Sequence, residues 1–267
     1  MKKIITVLLV ALCLSACGAK KDEKTISVAC SPTPHAEILT KAKEILANDG
    51  WTLEIVEYED YVQPINAVED GELDANYFAH VPYINNFNAE NGTNQVVAAK
   101  VHYEPFGIYP GKKTSLNDLV DGDEIIIPND GSNETRALLL LQDNGIIELP
   151  AGTGADSLVT KTDVVSYKVN ISIVEMEAAQ IARSKDDAAL VILNGNYALA
   201  AGLNVAKDSI AFEKADSSAA QTYVNVLACK AENKDNEGIK ALATVLESKE
   251  IAEFIEGKYE GAVIPFN

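Results

Sequence analysis

Short apolar runs alternate with amphipathic stretches along this chain, and that alternation restricts the fold more than any other feature. Thr25 to Cys30 (TISVAC), Leu53 to Tyr58 and Leu73 to Phe78 read as strands, the first stopped by Ser31-Pro32-Thr33-Pro34. Between the first two, Ile38, Leu39, Ala42, Ile45 and Leu46 recur at helical spacing and end at Asn48-Asp49-Gly50. A short helix around Val62 to Glu69 follows the second strand and a helix at Val81 to Glu90 follows the third. Gln95 to Tyr103 and Phe106 to Tyr109 are again strand-like. A β-α-β-α-β order predicts a parallel sheet with helices on both faces.

A second round begins at Ser115-Leu116-Asn117-Asp118, which has the form of a helix N-cap. Glu124 to Ile127 is a strand, and Ser132 or Asn133 can cap a helix from Glu134 to Gln142. Strands at Ile171 to Val174 and Ala188 to Leu193 flank a helix at Glu177 to Arg183. A short helix around Tyr197 to Ala201, a strand at Tyr223 to Cys229 and two helices near Glu237 to Leu246 and Lys249 to Gly257 complete the chain. Two rounds within 267 residues predict an α/β chain of two lobes, with a ligand cleft between them where the parallel strands end. The expected division is residues 25–110 for the first lobe, completed by 223–267, and 111–222 for the second.

Charge narrows the partners. Asp and Glu number 40 against 22 Lys and Arg, a formal net charge of −18. Phosphate backbones and anionic lipid would both repel such a surface, so nucleic acid is not a partner and any membrane attachment is covalent. The N-terminus supplies one. Met1-Lys2-Lys3 precedes an apolar stretch from Ile4 to Leu14, too short to span a bilayer but suited to a signal peptide. It ends in Leu14-Ser15-Ala16-Cys17-Gly18, which resembles a bacterial lipobox. Residues 1–16 are therefore expected to be removed, Cys17 to take the lipid, and residues 17–24 to act as a tether. Acyl chains at Cys17 would hold the protein on the extracytoplasmic face of a bacterial cell membrane. Of four cysteines, Cys30 and Cys229 then remain in the body, at the ends of apolar runs where buried free thiols are expected.

Catalytic motifs are missing: there is no G-x-S-x-G, H-E-x-x-H or C-x-x-C. His35, His80 and His102 follow different elements, with no i, i+4 pair, and read as scattered structural histidines. The informative cluster is aromatic and rich in amides. Tyr61, Phe78, His80 and Tyr83 fall at or just after strands of the first lobe. Asn133, Arg136 and Asn194 hold the matching loops of the second, and Asn225 lies in the returning strand. An arginine early in a helix can hold a carboxylate, amides offer both donors and acceptors, and aromatic rings suit a thioether. The same residues also fit a plain structural role, with the rings in a core and Arg136 solvated.

The runs DYVQP (Asp60 to Pro64), LDANYFAHVPY (Leu73 to Tyr83), IPNDGSNETRALLLLQ (Ile127 to Gln142) and YVNVLA (Tyr223 to Ala228) resemble the methionine-binding lipoproteins of the MetQ/NlpA family. The resemblance runs in order from about Ile26 to the C-terminus. It implies a periplasmic-binding-protein fold, no enzymatic activity and no cofactor or metal. It also implies a substrate-binding lipoprotein of an ABC importer that closes its lobes on methionine (L- and/or D-) or a methionyl dipeptide. By the same resemblance Arg136 takes the ligand carboxylate and Asn194 and Asn225 its other backbone polar groups, with Asn133 beside them. Tyr61, Phe78, His80 and Tyr83 enclose the side chain. The implied partners are an ABC permease and its ATPase, met by a monomer. Tyr77, Ala79 and Ile65 depart from the family's usual residues. Two other classes stand beside this one, a metal-ion receptor lipoprotein and an exported hydrolase.

Overall fold

Strand pairing sorts the chain into two sheets. The structure, a computed structural model, describes residues 24–214 and 221–266. Cys17, the signal before it and most of the tether lie outside the described residues. The first sheet receives β1 (Thr25–Cys30), β2 (Thr52–Glu57), β3 (Ala75–His80) and β4 (Gln95–Tyr103). The chain then crosses to a second sheet made of β5 (Gly107–Pro110), β6 (Glu124–Pro128), β9 (Ser172–Met176), β10 (Leu190–Leu193) and β11 (Ala211–Phe212), with β7 (Ile147–Glu148) and β8 (Ser166–Tyr167) paired apart. It returns with β12 (Val224–Lys230) and β13 (Ile264–Pro265).

The first sheet runs β13-β4-β12-β3-β1-β2 and the second β11-β5-β10-β6-β9. In each, three strands are parallel: β3-β1-β2 and β10-β6-β9. Of these strands, β1 and β10 are nearly continuous apolar runs, buried along almost their whole length. The all-parallel expectation is incomplete. β12 enters the first sheet from the other lobe and lies antiparallel to both β3 and β4. The strand predicted at Phe106 to Tyr109 was grouped by sequence with the first lobe, yet as β5 it pairs antiparallel with β10 and β11. Phe106 and Ile108 bury in the core of the second sheet, among Ile125, Leu138, Leu141 and Ile192.

Helices α1 (Glu37–Ala47), α2 (Gln63–Glu69) and α3 (Val81–Asn91) belong to the first lobe, and α4 (Gly131–Asp143), α5 (Ala178–Ile181) and α6 (Gly195–Ala200) to the second. The last helices, Glu237–Leu246 and Lys249–Tyr259, pack their apolar sides on the first. Gly92 ends α3 in the left-handed region (φ 68°), where a residue without Cβ is not strained. Cys30 and Cys229 are buried free thiols, as expected, and burial pushes their pKa values up to about 12 and about 11. Among the described residues no helix is long and apolar enough to cross a membrane.

Candidate functional site

The parallel strands of both lobes end toward each other, and the helices they feed begin there. Asp130 caps α4, its carboxylate accepting the Asn133 N–H at 3.0 Å and the Ser132 hydroxyl at 2.9 Å. Asn133 and Arg136, one turn apart, therefore look out from the same side of the helix start. His80 caps α3, with Nδ1 accepting the Tyr83 N–H at 3.2 Å. Asn194 stands between β10 and α6. Antiparallel register sets Asn225 of β12 opposite His80 on one side and His102 on the other.

These elements enclose a cavity between the lobes. All eight residues expected at a ligand site line it, together with Ala79, Glu104, Gly195 and Asn196. Their rings form a box: the centroids of Tyr61 and Phe78 are 5.6 Å apart, of Tyr61 and Tyr83 5.5 Å, and of Phe78 and Tyr83 5.9 Å.

Hydrogen bonds assign the polar atoms. His80 Nε2 donates to Asn133 Oδ1 at 3.0 Å, and Asn194 Nδ2 donates to the same oxygen at 2.8 Å. The Asn133 amide nitrogen is given to both Asp130 oxygens, at 3.0 and 2.9 Å. Asn133 is thus saturated and ties β3, α4 and β10 together. Asn194 Oδ1 is left buried and without a partner among the described residues. Across the cavity, Asn225 Oδ1 accepts from His35 Nε2 at 2.9 Å, which leaves its amide nitrogen as the donor facing inward.

Arg136 is held on three sides. Nε and Nη2 bond the two oxygens of Glu213 at 2.8 and 2.6 Å, and Nη2 reaches the Glu104 carbonyl at 2.9 Å. Its guanidinium lies 4.3 Å from the ring centre of Tyr223 and 4.7 Å from that of Phe106. Nη1 is the one terminal nitrogen not engaged by a described residue. The solvated-charge reading of Arg136 is excluded, since the side chain is 3% exposed.

Two of the three histidines are not scattered. His35 and His102 have ring centroids 5.1 Å apart, and with Glu104 they place metal-type ligand atoms within 4.8 Å of one another. Three of the four ring nitrogens are already committed to hydrogen bonds, and His35 Nδ1 is buried without a partner among the described residues. Tyr77 donates to His102 Nδ1 at 2.5 Å, so Nε2 carries the proton that goes to Glu104 Oε1 at 2.7 Å. His35 Nε2 is shared between Asn225 and Glu104, at 2.9 and 3.4 Å. Burial holds His35 near pKa 4 and His102 near 3, and burial with the Arg136 charge holds His80 near 3, so all three are neutral at pH 7.

Sequence reasoning missed Glu104, Glu213 and Asn196. Nothing local distinguishes the two acids in a chain with 40 of them. Asn196 had a signal, since it shares the Asn194-Gly195-Asn196 turn. The lobes meet through these residues: Tyr61 Oη donates to Asn196 Oδ1 at 2.6 Å, Tyr197 Oη to the Glu59 carbonyl at 2.9 Å, and Tyr103 Oη to Glu213 at 2.5 Å.

Comparison with known proteins places this geometry in context. The sequence model described as NlpA lipoprotein matches residues 26–267. The methionine-binding lipoprotein MetQ of Bacillus subtilis is 39% identical over 258 residues, 96% of this chain and 93% of that protein. A lipoprotein of Ruminococcus gnavus, known as a crystal structure, is 57% identical and superposes with TM-score 0.89, covering 91% of this chain and all of its own. A nutrient-binding protein of Burkholderia cenocepacia, solved bound to methionine, is 36% identical with TM-score 0.85 over 91% of this chain and 100% of that one. The metal-ion receptor alternative has no support among these relatives.

Proposed function

The chain belongs to the NlpA lipoprotein family, and we propose that it is the substrate-binding lipoprotein of an ABC importer, holding methionine or a close methionyl analogue between its lobes. As a member of that family it is a binding protein and not an enzyme. The observation that carries the ligand reading is the separation of polar roles around one aromatic cavity. Arg136 Nη1 and Asn225 Nδ2 are donors for a carboxylate. Asn194 Oδ1 is a buried acceptor for an ammonium. The Tyr61, Phe78, His80 and Tyr83 rings supply polarizable edges and faces for a thioether. Asn133 holds Asn194 and His80 in these orientations.

A ligand of about nine heavy atoms can reach affinities down to about nanomolar. Because it contacts both lobes, it favours the closed arrangement and shifts an open–closed equilibrium toward it. The working division of lobes is 25–104 with 223–266, and 107–214. Acylation at Cys17 anchors the protein to the extracytoplasmic face of the membrane, where the closed monomer meets the permease and its ATPase. Native mass spectrometry of the chain purified from methionine-supplied cells tests the ligand directly. The expected spectrum carries an increment of one methionine, and an increment of a different solute contradicts the reading.

A further inference from the structure

One buried carboxylate near the cavity has no cationic hydrogen-bond partner among the described residues. Glu104 is 4% exposed and lines the cavity wall. Its carboxylate accepts hydrogen bonds from His102 Nε2 at 2.7 Å and from the Asn196 backbone N–H, while His35 Nε2, which donates to Asn225, lies 3.4 Å away. Those donors are neutral. Arg136, the nearby cation, spends Nε and Nη2 on Glu213 and reaches only the backbone carbonyl of Glu104. A carboxylate taken out of water is costly unless a cation joins it. Asn194 Oδ1, on the residue before Gly195, is a buried acceptor without a partner among the described residues.

The wall behind Glu104 is closed. A Cβ added to Gly195 would stand 2.6 Å from Glu104 Cβ and 2.7 Å from Oε2, so the start of α6 packs its backbone directly on this side chain. Tyr77 completes the support, since its bond to His102 fixes the tautomer that donates to Glu104.

We propose that Glu104 is a specificity residue that receives the free α-ammonium of the ligand, steered by the Tyr77–His102 pair and His35, so that the site selects an amino acid over its deaminated and N-acylated forms. The inference rests on the methionine reading and sharpens it. With Asn194 Oδ1, Glu104 provides two acceptors at one end of the cavity, while Arg136 Nη1 and Asn225 Nδ2 provide the donors for the carboxylate. Burial raises the Glu104 pKa above the usual carboxylate range, against the pull of His35 and Arg136, as suits an acid awaiting a cation.

Calorimetric titration of the detergent-solubilised full chain, freed of ligand by unfolding and refolding, tests this with L-methionine, 4-(methylthio)butanoate, N-acetyl-L-methionine and zinc. The wild type is expected to bind methionine at least about a hundredfold more tightly than the two analogues that lack the ammonium, the scale of a desolvated charge-assisted contact. Glu104→Gln is expected to lose at least about thirtyfold toward methionine and under about threefold toward 4-(methylthio)butanoate. Comparable wild-type affinities for methionine and its deaminated analogue would overturn the proposal without recourse to any variant. So would equal losses for the two ligands in Glu104→Gln, and both results leave the methionine reading standing. Heat from zinc that Glu104→Gln abolishes would show that the missing cation is a metal, and absence of methionine binding by the wild type would contradict both readings together.

Discussion

Arg136 grips Glu213 through two hydrogen bonds, Nε to Oε1 at 2.8 Å and Nη2 to Oε2 at 2.6 Å, with both side chains more than nine-tenths buried. Glu213 also accepts the Tyr103 hydroxyl and the Phe106 N–H, so the pair joins β4, β5, α4 and the segment after β11. Arg136 therefore offers the cavity a fixed donor more than a free positive charge. Removing it does two things at once, because Glu213 is left buried without its cation.

Arg136→Ala should lower stability by about 3–5 kcal/mol as well as abolish amino-acid binding. The paired change Arg136→Met with Glu213→Gln should recover most of the melting temperature while binding stays absent. Unchanged melting of Arg136→Ala would contradict the buried pair, and binding by the double variant would contradict the carboxylate role.

Asn225 presents its amide nitrogen to the cavity because His35 occupies its oxygen. Asn225→Asp replaces that donor by a negative charge facing the ligand carboxylate. Methionine affinity should fall by about 2–5 kcal/mol, roughly thirtyfold or more, with secondary structure intact by circular dichroism. Tight binding by this variant would mean that Asn225 contacts the ligand from its other side, through an acceptor.

Much of the site was legible because its residues stand where the topology opens. Tyr61 follows β2, Phe78 and His80 end β3, Asn133 and Arg136 occupy the first turns of α4, and Asn194 follows β10. Strand ends and helix starts can be placed from apolar spacing and caps. Glu104 and Glu213 could not be found that way, since they become neighbours of Arg136 only through the crossover between β4 and β5 and the turn after β11. The meeting of His35 with His102 is likewise a product of sheet order, which periodicity does not encode. The placement of β5 was misjudged for a related reason. A strand of four residues reads alike in either sheet, and the partners that capture it, β10 and β11, come much later in the chain.

Phe78 both lines the cavity and packs with Ile65, Ile84 and Val226. Phe78→Ala should weaken methionine by about 1.5–3 kcal/mol, the scale of one buried apolar side chain. Alanine, too short to reach the ring box, should lose less than about threefold. Competition titration with both amino acids reads the difference, and equal losses would make Phe78 a core residue only.

Glu104 makes binding pH-dependent in a definite direction. Burial holds its pKa above the usual range in the free protein, while His35 and Arg136 oppose the shift. A bound ammonium favours the carboxylate, so the complex holds fewer protons than the free protein as the solution is acidified. Affinity should fall as the pH is lowered through the free-state pKa, by up to about tenfold per pH unit. His35 and His102 titrate lower, near 4 and 3, and do not mask the effect at its onset. Glu104→Gln should be flat over the range where the wild type declines. A flat wild type would contradict the assignment.

The most direct test of the account is calorimetric titration of the refolded, ligand-free chain with L-methionine, D-methionine, glycyl-methionine and zinc in turn. One site per chain, submicromolar affinity for a methionyl ligand and no heat from zinc are expected. Silence from every methionyl ligand would contradict this expectation, leaving a two-lobed binding fold whose cavity serves another solute.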